Sequence, residues 1–203
     1  MIDLYYAATP NGQKIKLFLE EAGLEYKQIM VNLHDGDQFK PEFLAISPNN
    51  KIPAIVDHDP EDSGVPVPVF ESGAILMYLA DKTGKFMPKN FRSRIAATEW
   101  LFWQVGGLGP MAGQAHYFNK YATEKVPYAI QRYEKEVNRL YSVLDKKLEG
   151  KKFITEEYTI ADIATYPWIV PHEIQGQMLE NFPNIKEWFD RISARPAVRK
   201  VYS

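Results

Sequence analysis

The chain has 203 residues, 45% of them apolar and 25% charged, values of an ordinary globular protein large enough to bury a core without covalent staples. Lys and Arg number 24 against 26 Asp and Glu, a formal net charge of −2; no basic run stands out, which argues against a nucleic-acid partner. Cysteine is absent, so disulfides, thiolate zinc sites, iron–sulfur clusters and a cysteine nucleophile are excluded, and any thiol chemistry must use a thiol brought by a ligand.

Asp3 interrupts the N-terminus and no basic segment leads into an apolar one, so no signal peptide is expected and the cytosol is the default. Residues 100–119 carry no charge over a length that could span a bilayer. Gln104, Gln114, His116, Asn119, four glycines and Pro110 within them fit a buried helix better, and no membrane association is expected.

Ile2 to Tyr6 is a short β-prone run followed by the turn-like Thr9-Pro10-Asn11-Gly12. From Asn11 to Ala22 the pattern is helical, with Ile15, Phe18, Leu19 and Ala22 on one face and Lys14, Glu20 and Glu21 elsewhere; Gly23 suits its C-terminus. Tyr26 to Val31 reads as a second strand, Pro41 to Ala45 as a short helix, and Ala54 to Asp57 and Val67 to Phe70 as two further strands. The loop between the last two is too short for a crossover helix, which predicts an antiparallel pair. Glu71-Ser72 then opens a helix from Gly73 to Lys82.

Residues 84–90 read as a linker, and the chain beyond residue 90 is helical. Phe91 to Tyr121 is interrupted by Gly106, Gly107, Gly109 and Pro110, which predicts a kink there. Pro127 to Glu149 repeats apolar residues at helical spacing, and Thr159 to Trp168 and Pro183 to Ala194 supply further helices. The plan is a small mixed sheet in the order βαβαββα over residues 1–83, then an all-α domain over 91–203.

Three segments could carry chemistry. Thr9 and Asn11 flank a helix start, where unpaired N–H groups and the helix dipole favour an anion and lower a thiol's pKa; the plainer reading is that one of them only caps the helix. Asn50-Lys51-Ile52-Pro53 could, with a cis Ile52–Pro53 bond, leave the Ile52 backbone open to pair with an extended peptide, although a trans bond is the ordinary expectation. Glu71 could accept from an α-amino group while Ser72 offers backbone and hydroxyl donors to a carboxylate; here too a simple cap is the alternative. Together Gln38, Lys51, Glu71 and Ser72 could hold a zwitterionic peptide. His34, His58, His116 and His172 show no metal-ligand spacing, and no metal is expected.

These segments in this order, with the Thr159-Ile160-Ala161-Asp162 helix start, resemble the glutathione transferase family over nearly the whole chain. "TPNG" with "ISPNNKIPAIVD" and "WLFWQVGGLGPM" most resembles the bacterial nu-class members with disulfide-bond reductase activity. The resemblance implies a thioredoxin-like N-terminal domain with Pro53 as its cis-proline, an α-helical C-terminal bundle, and a homodimer. It implies that Ile52 pairs with the cysteinyl unit of glutathione and that Glu71 and Ser72 hold the γ-glutamyl end. Gln38 and Lys51 would lie near the glycyl end or the adjoining backbone, and Thr9 and Asn11 at the sulfur. It also implies one or two bound glutathiones, with Arg132 touching the second; on local sequence alone, Arg132 is as well explained by a solvated pair with Glu136. Tyr5 and Tyr6 alternate along a strand, so at most one can approach the sulfur.

The activity expected is attack of a bound glutathione thiolate on a small disulfide or electrophile. Ordinary glutathione conjugation and a non-enzymatic ligand-binding or interaction protein of the same fold are the alternatives. Thr159 and Asp162 read as a capping box that serves folding rather than catalysis.

Overall fold

In the computed structural model, which describes residues 1–203, the chain divides into residues 1–87 with 196–203, and residues 88–195. In the first unit, β1 (Ile2–Tyr6) buries Ile2, Leu4 and Tyr6 and leaves Asp3 and Tyr5 half-exposed, the period-two pattern of a strand covered on one face. Helix α1 (Pro10–Ala22) comes next and ends at Gly23, whose φ of 67° is one that glycine takes without strain. Strand β2 (Tyr26–Met30) lies parallel to β1, with Ile2 opposite Tyr26 and Tyr6 opposite Met30.

A tight 3₁₀ turn at Asp37–Phe39 and α2 (Pro41–Leu44) lead to β3 (Ala54–Asp57), which pairs antiparallel with β1, Leu4 facing Ile55. The expected antiparallel pairing of β3 with β4 (Val67–Phe70) is observed, and the sheet order is β2-β1-β3-β4. Pro68 sits on that outer strand, where a missing N–H costs no central ladder bond. Helix α3 (Ser72–Thr83) packs beside α1, and Leu4, Ile15, Phe18, Ile55, Ile75 and Leu79 form the fully buried core between sheet and helices.

Asp57 is buried at the end of β3. Burial pushes its carboxyl up, but Lys82 at 2.7 Å, the Tyr78 hydroxyl at 2.7 Å and the Asp59 N–H at 3.0 Å together hold it below the ordinary carboxylate range. The group ties α3 back to the sheet.

In the second unit, α4 (Phe91–Trp103) and α5 (Gly109–His116) are joined by a widened turn at Gln104–Leu108, closed by the Gly109 N–H on the Gln104 carbonyl. The expected interruption near Gly106 thus takes the form of one i→i+5 turn, a recognised cause of helix bending. A second such turn spans Tyr117–Tyr121, where the Ala122 N–H reaches the Tyr117 carbonyl at 2.8 Å. Helix α6 (Pro127–Leu148) buries Val137, Leu140, Tyr141, Leu144 and Leu148 as its period requires. Helix α7 (Ile160–Ile169) is buried along its whole length, and α8 (Pro183–Ser193) packs on α6 and α7. Gly113 gives Trp168 its seat, since a Cβ at that position would stand 3.3 Å from the indole ring.

The capping box at α7 is closed. Thr159 N–H donates to Asp162 Oδ2 at 3.0 Å, and Thr159 Oγ1 accepts from the Ala161 N–H at 3.3 Å. Asp162 Oδ1 also accepts from the Ile154 N–H and from Trp188 Nε1, both at 2.9 Å. Burial pushes this carboxyl up to about 6 against those hydrogen bonds, so it is chiefly ionised at neutral pH. No helix is long and apolar enough to cross a membrane.

One further helix, α9 (Pro196–Tyr202), was not expected. It belongs with the first unit, not with a helical domain running to residue 203: Val198 and Val201 are buried, α9 packs on α1, and Lys200 pairs with Glu20 at 2.7 Å. The expected linker is also shortened from its N-terminal side. Lys85 Nζ donates to the Ala22 carbonyl at 2.6 Å and the Phe86 ring meets Phe18 edge-on, so these residues are part of the first unit.

Candidate functional site

The sheet and helices of the first unit bring three loops to one place. Asn11, Ser47, Asn49, Lys51, Ile52, Pro53, Phe70, Glu71 and Ser72 line a cavity of about 230 Å³. Six of the nine residues singled out in the sequence are among them. The segments that supply them are spread from residue 11 to residue 72 and meet because β1, β3 and β4 are neighbours.

The Ile52–Pro53 bond is cis. The loop before it is fixed by Ser47, whose hydroxyl donates to the Lys51 carbonyl at 2.8 Å, and by the Asn50 N–H on the Ser47 carbonyl at 2.9 Å. The Ile52 side chain packs on the small core of Val31, Phe43 and Ala54. Ile52 forms no backbone hydrogen bond within the chain, so its N–H and C=O stand as an open strand edge, able to pair with an extended ligand.

Glu71 stands at φ 69° and ψ 116°, a backbone conformation that L-residues rarely adopt. It occupies the cap position of α3 but its side chain makes no capping bond, so the first N–H groups of the helix are left for something else. Ser72 is therefore not the cap that the plainer reading anticipated. It is the first helical residue, it is buried, and its Oγ accepts from Lys14 Nζ at 3.2 Å. An uncapped helix start beside a hydroxyl and a carboxylate suits a ligand group that carries both signs.

Thr9 does cap α1: its Oγ1 accepts from the Gly12 N–H at 3.2 Å, and Pro10 opens the first turn. Accepting there leaves the Thr9 O–H able to donate. Thr9 does not line the cavity itself; Asn11, in the same turn, does. Gly12 is required by close approach. A Cβ there would collide with the Ala7 carbonyl oxygen and crowd the Tyr6 ring at 3.2 Å. Gly12→Ala is expected to lower stability by about 1–3 kcal/mol, measured by urea denaturation, because the whole first turn must move.

Gln38 and Arg132 are not brought into this cavity. Gln38 lies in the 3₁₀ turn, with Nε2 on the Leu33 carbonyl at 3.4 Å and Oε1 buried without a partner. Arg132 belongs to the second unit, where it lines a groove of about 910 Å³ with Met111, Tyr128, Gln131, Tyr133, Lys135, Glu136 and Arg139. The pair of Arg132 with Glu136 that local sequence allows is not formed: Glu136 is held in a two-pronged pair by Arg139, at 2.7 and 2.9 Å. Neither Tyr5 nor Tyr6 lines the cavity, and burial pushes both phenols up, away from a role as a ready proton donor.

A family model described as the glutathione S-transferase N-terminal domain matches residues 2–81, and one described as the glutathione S-transferase C-terminal domain matches residues 110–196. The chain belongs to the glutathione S-transferase family. The disulfide-bond oxidoreductase YfcG of Escherichia coli (strain K12) is 59% identical to this transferase over 198 residues, 97% of this chain and 92% of that protein. A glutathione transferase family member from Pseudomonas fluorescens pf-5, solved with two glutathione bound, matches with a TM-score of 0.92 and 45% identity, covering 98% of this chain and 91% of that one. A glutathione transferase from Pseudomonas putida, solved with one glutathione disulfide per subunit, matches with a TM-score of 0.93 and 39% identity, covering 98% and 90%.

Within the transferase fold, the first unit is thus the thioredoxin-like glutathione S-transferase domain and the second the helical one. Four residues of its candidate site are not among those singled out in the sequence. Ser47, Asn49 and Phe70 reach the cavity through the turn and strand end that hold better-marked neighbours. Lys14 was expected off the buried face of α1, yet it is 1% exposed. Its spacing places it there, four residues before Phe18 and three after Asn11.

Proposed function

We propose that this glutathione S-transferase reduces small disulfides with glutathione as the thiol. The observation that carries the reading is one cavity that joins Asn11 at the start of α1, the open Ile52 edge and the Glu71–Ser72 turn, in a chain with no cysteine of its own. The glutathione and glutathione disulfide named with the two solved relatives, and the oxidoreductase name of the E. coli protein, support it.

In this reading the α-carboxylate of the γ-glutamyl end is received by the N–H groups of α3 and the Ser72 hydroxyl, and its α-amino group by Glu71. The cysteinyl unit pairs with Ile52 across the edge that Pro53 exposes. Lys51 attends the glycyl end. Asn11 and the Thr9 hydroxyl donate to the sulfur at the positive end of α1 and raise the fraction ionised at neutral pH.

The thiolate attacks one sulfur of the substrate disulfide, forming a mixed disulfide and releasing one substrate thiolate, which takes up a proton. A second glutathione thiolate attacks the glutathione sulfur of the mixed disulfide, giving glutathione disulfide and the second substrate thiol. No electrons pass through the protein. Arg132, whose neighbour Glu136 is engaged by Arg139, is assigned to the second glutathione. Phe91, Ile95 and Phe102 stand exposed on one face of α4, which supports the homodimer; the cytosol, where glutathione is kept reduced, is the proposed location.

Incubation with glutathione and a small dialkyl disulfide, with formation of glutathione disulfide as the readout, tests the activity. A rate well above the uncatalysed background is expected. Conjugation of aryl halides without any disulfide reduction would instead make this an ordinary conjugating transferase. Calorimetric binding of glutathione with turnover of neither acceptor would make it a ligand-binding member of the family.

A further inference from the structure

Lys14 is a fully buried lysine whose ammonium lies under the carboxylate end of the candidate site. It donates to Ser72 Oγ at 3.2 Å, and Ser72 lines the cavity. Burying an ammonium removes it from water, so the groups that receive it must replace that hydration, and Ser72 is one of them. Burial accordingly pulls the lysine down to about 7, and the Glu71 carboxylate partly offsets that pull.

Several charged groups on the elements packed around α1 are paired with one another. Asp3 on β1 meets His58 at 3.0 Å, Lys82 on α3 meets Asp57 at 2.7 Å, and Lys200 on α9 meets Glu20 at 2.7 Å. Glu71, at the cap of α3, is the charged group that acts on Lys14.

We propose that Lys14 is a positioning residue for glutathione: by donating to Ser72 Oγ it turns the Ser72 hydroxyl hydrogen toward the cavity, and it supplies the counter-charge beneath the carboxylate bound there. The inference rests on the glutathione reading above and adds the group that acts through Ser72. An occupied lone pair on Ser72 Oγ leaves its one hydrogen for the ligand. The positive charge under a poorly hydrated site strengthens the same bond. The coupling is reciprocal: a bound carboxylate favours the ammonium form, so binding draws a proton from solvent wherever Lys14 is partly neutral.

The test is calorimetry with S-methylglutathione, which keeps the γ-glutamyl end but has no thiol proton to release. Titrations slightly above neutrality in two buffers of different ionisation heat read the protons exchanged. Net proton uptake is expected for the wild type and none for Lys14→Met. The variant should bind about tenfold or more weakly, with KM for glutathione raised much more than kcat is lowered. Wild-type affinity should fall as pH rises through the range where Lys14 loses its proton, and the variant's should stay flat.

Equal affinity and equal buffer dependence for variant and wild type would overturn the inference and leave the glutathione reading intact. Should Lys14→Met not fold, the wild type decides alone, because binding without proton uptake overturns the proposal. If neither glutathione nor S-methylglutathione binds the wild type, the glutathione reading itself fails, and the role of Lys14 with it.

Discussion

Asn11→Ala is expected to slow glutathione-dependent disulfide reduction by about 10- to 100-fold at neutral pH. Removing one preorganised donor from a developing or standing anion costs on this scale. The side chain sits in the first turn of α1 and lines the cavity, so its loss removes a donor without removing the cap that Thr9 makes. The pH profile separates this from a folding defect. A thiolate with one donor fewer ionises at higher pH, so the acid limb of kcat/KM should move upward and much of the rate should return in alkaline buffer. Thr9→Ala should show the same kinetic shift together with a stability loss of about 0.5–2 kcal/mol, because it also frees the Gly12 N–H. Thr9→Ser should restore both. Full activity in Asn11→Ala and Thr9→Ala alike would mean that the sulfur lies elsewhere.

Asp162→Ala is expected to have the largest effect on stability, about 3–5 kcal/mol by chemical denaturation. It strands the N–H groups of Ile154, Thr159 and Trp188 in a buried place where water does not replace the carboxylate. Asp162→Asn should fall between, since an amide has one acceptor oxygen and must turn its NH₂ toward one of the two donor groups that the carboxylate now satisfies. Binding of the glutathione held by the Ile52 edge and the Glu71–Ser72 turn should be unchanged in whatever fraction remains folded, because every residue lining that cavity belongs to the first unit. Weakened binding at equal folded fraction would contradict that separation.

The strands and the loops that line the cavity were legible for different reasons. Ile2–Tyr6, Ala54–Asp57 and Val67–Phe70 are short runs bounded by turn residues, and the short loop between the last two permits only an antiparallel pair. Thr9, Asn11, Pro53 and Glu71 announce themselves because caps, X-Pro bonds and helix starts have local signatures; the family likeness then says why three such places belong together. Two things were not legible. Lys14 falls on the buried face by period, but a charged residue on an amphipathic helix ordinarily faces water, and nothing local says that a serine 58 residues later will receive it. Helix α9 is short, and its two buried valines give too little periodicity to mark it. Gln38 and Arg132 show the reverse case, since family position names them although the cavity is built without them.

The placement of α9 has a consequence for synthesis. The first 87 residues leave the ribosome long before Val198 and Val201, yet those valines cover α1 in the finished unit. Until residues 196–203 have been made, that patch of the nascent sheet-and-helix layer is bare. The thioredoxin-like half therefore completes its interior only after the helical half has been made, and α9 acts as its closing latch.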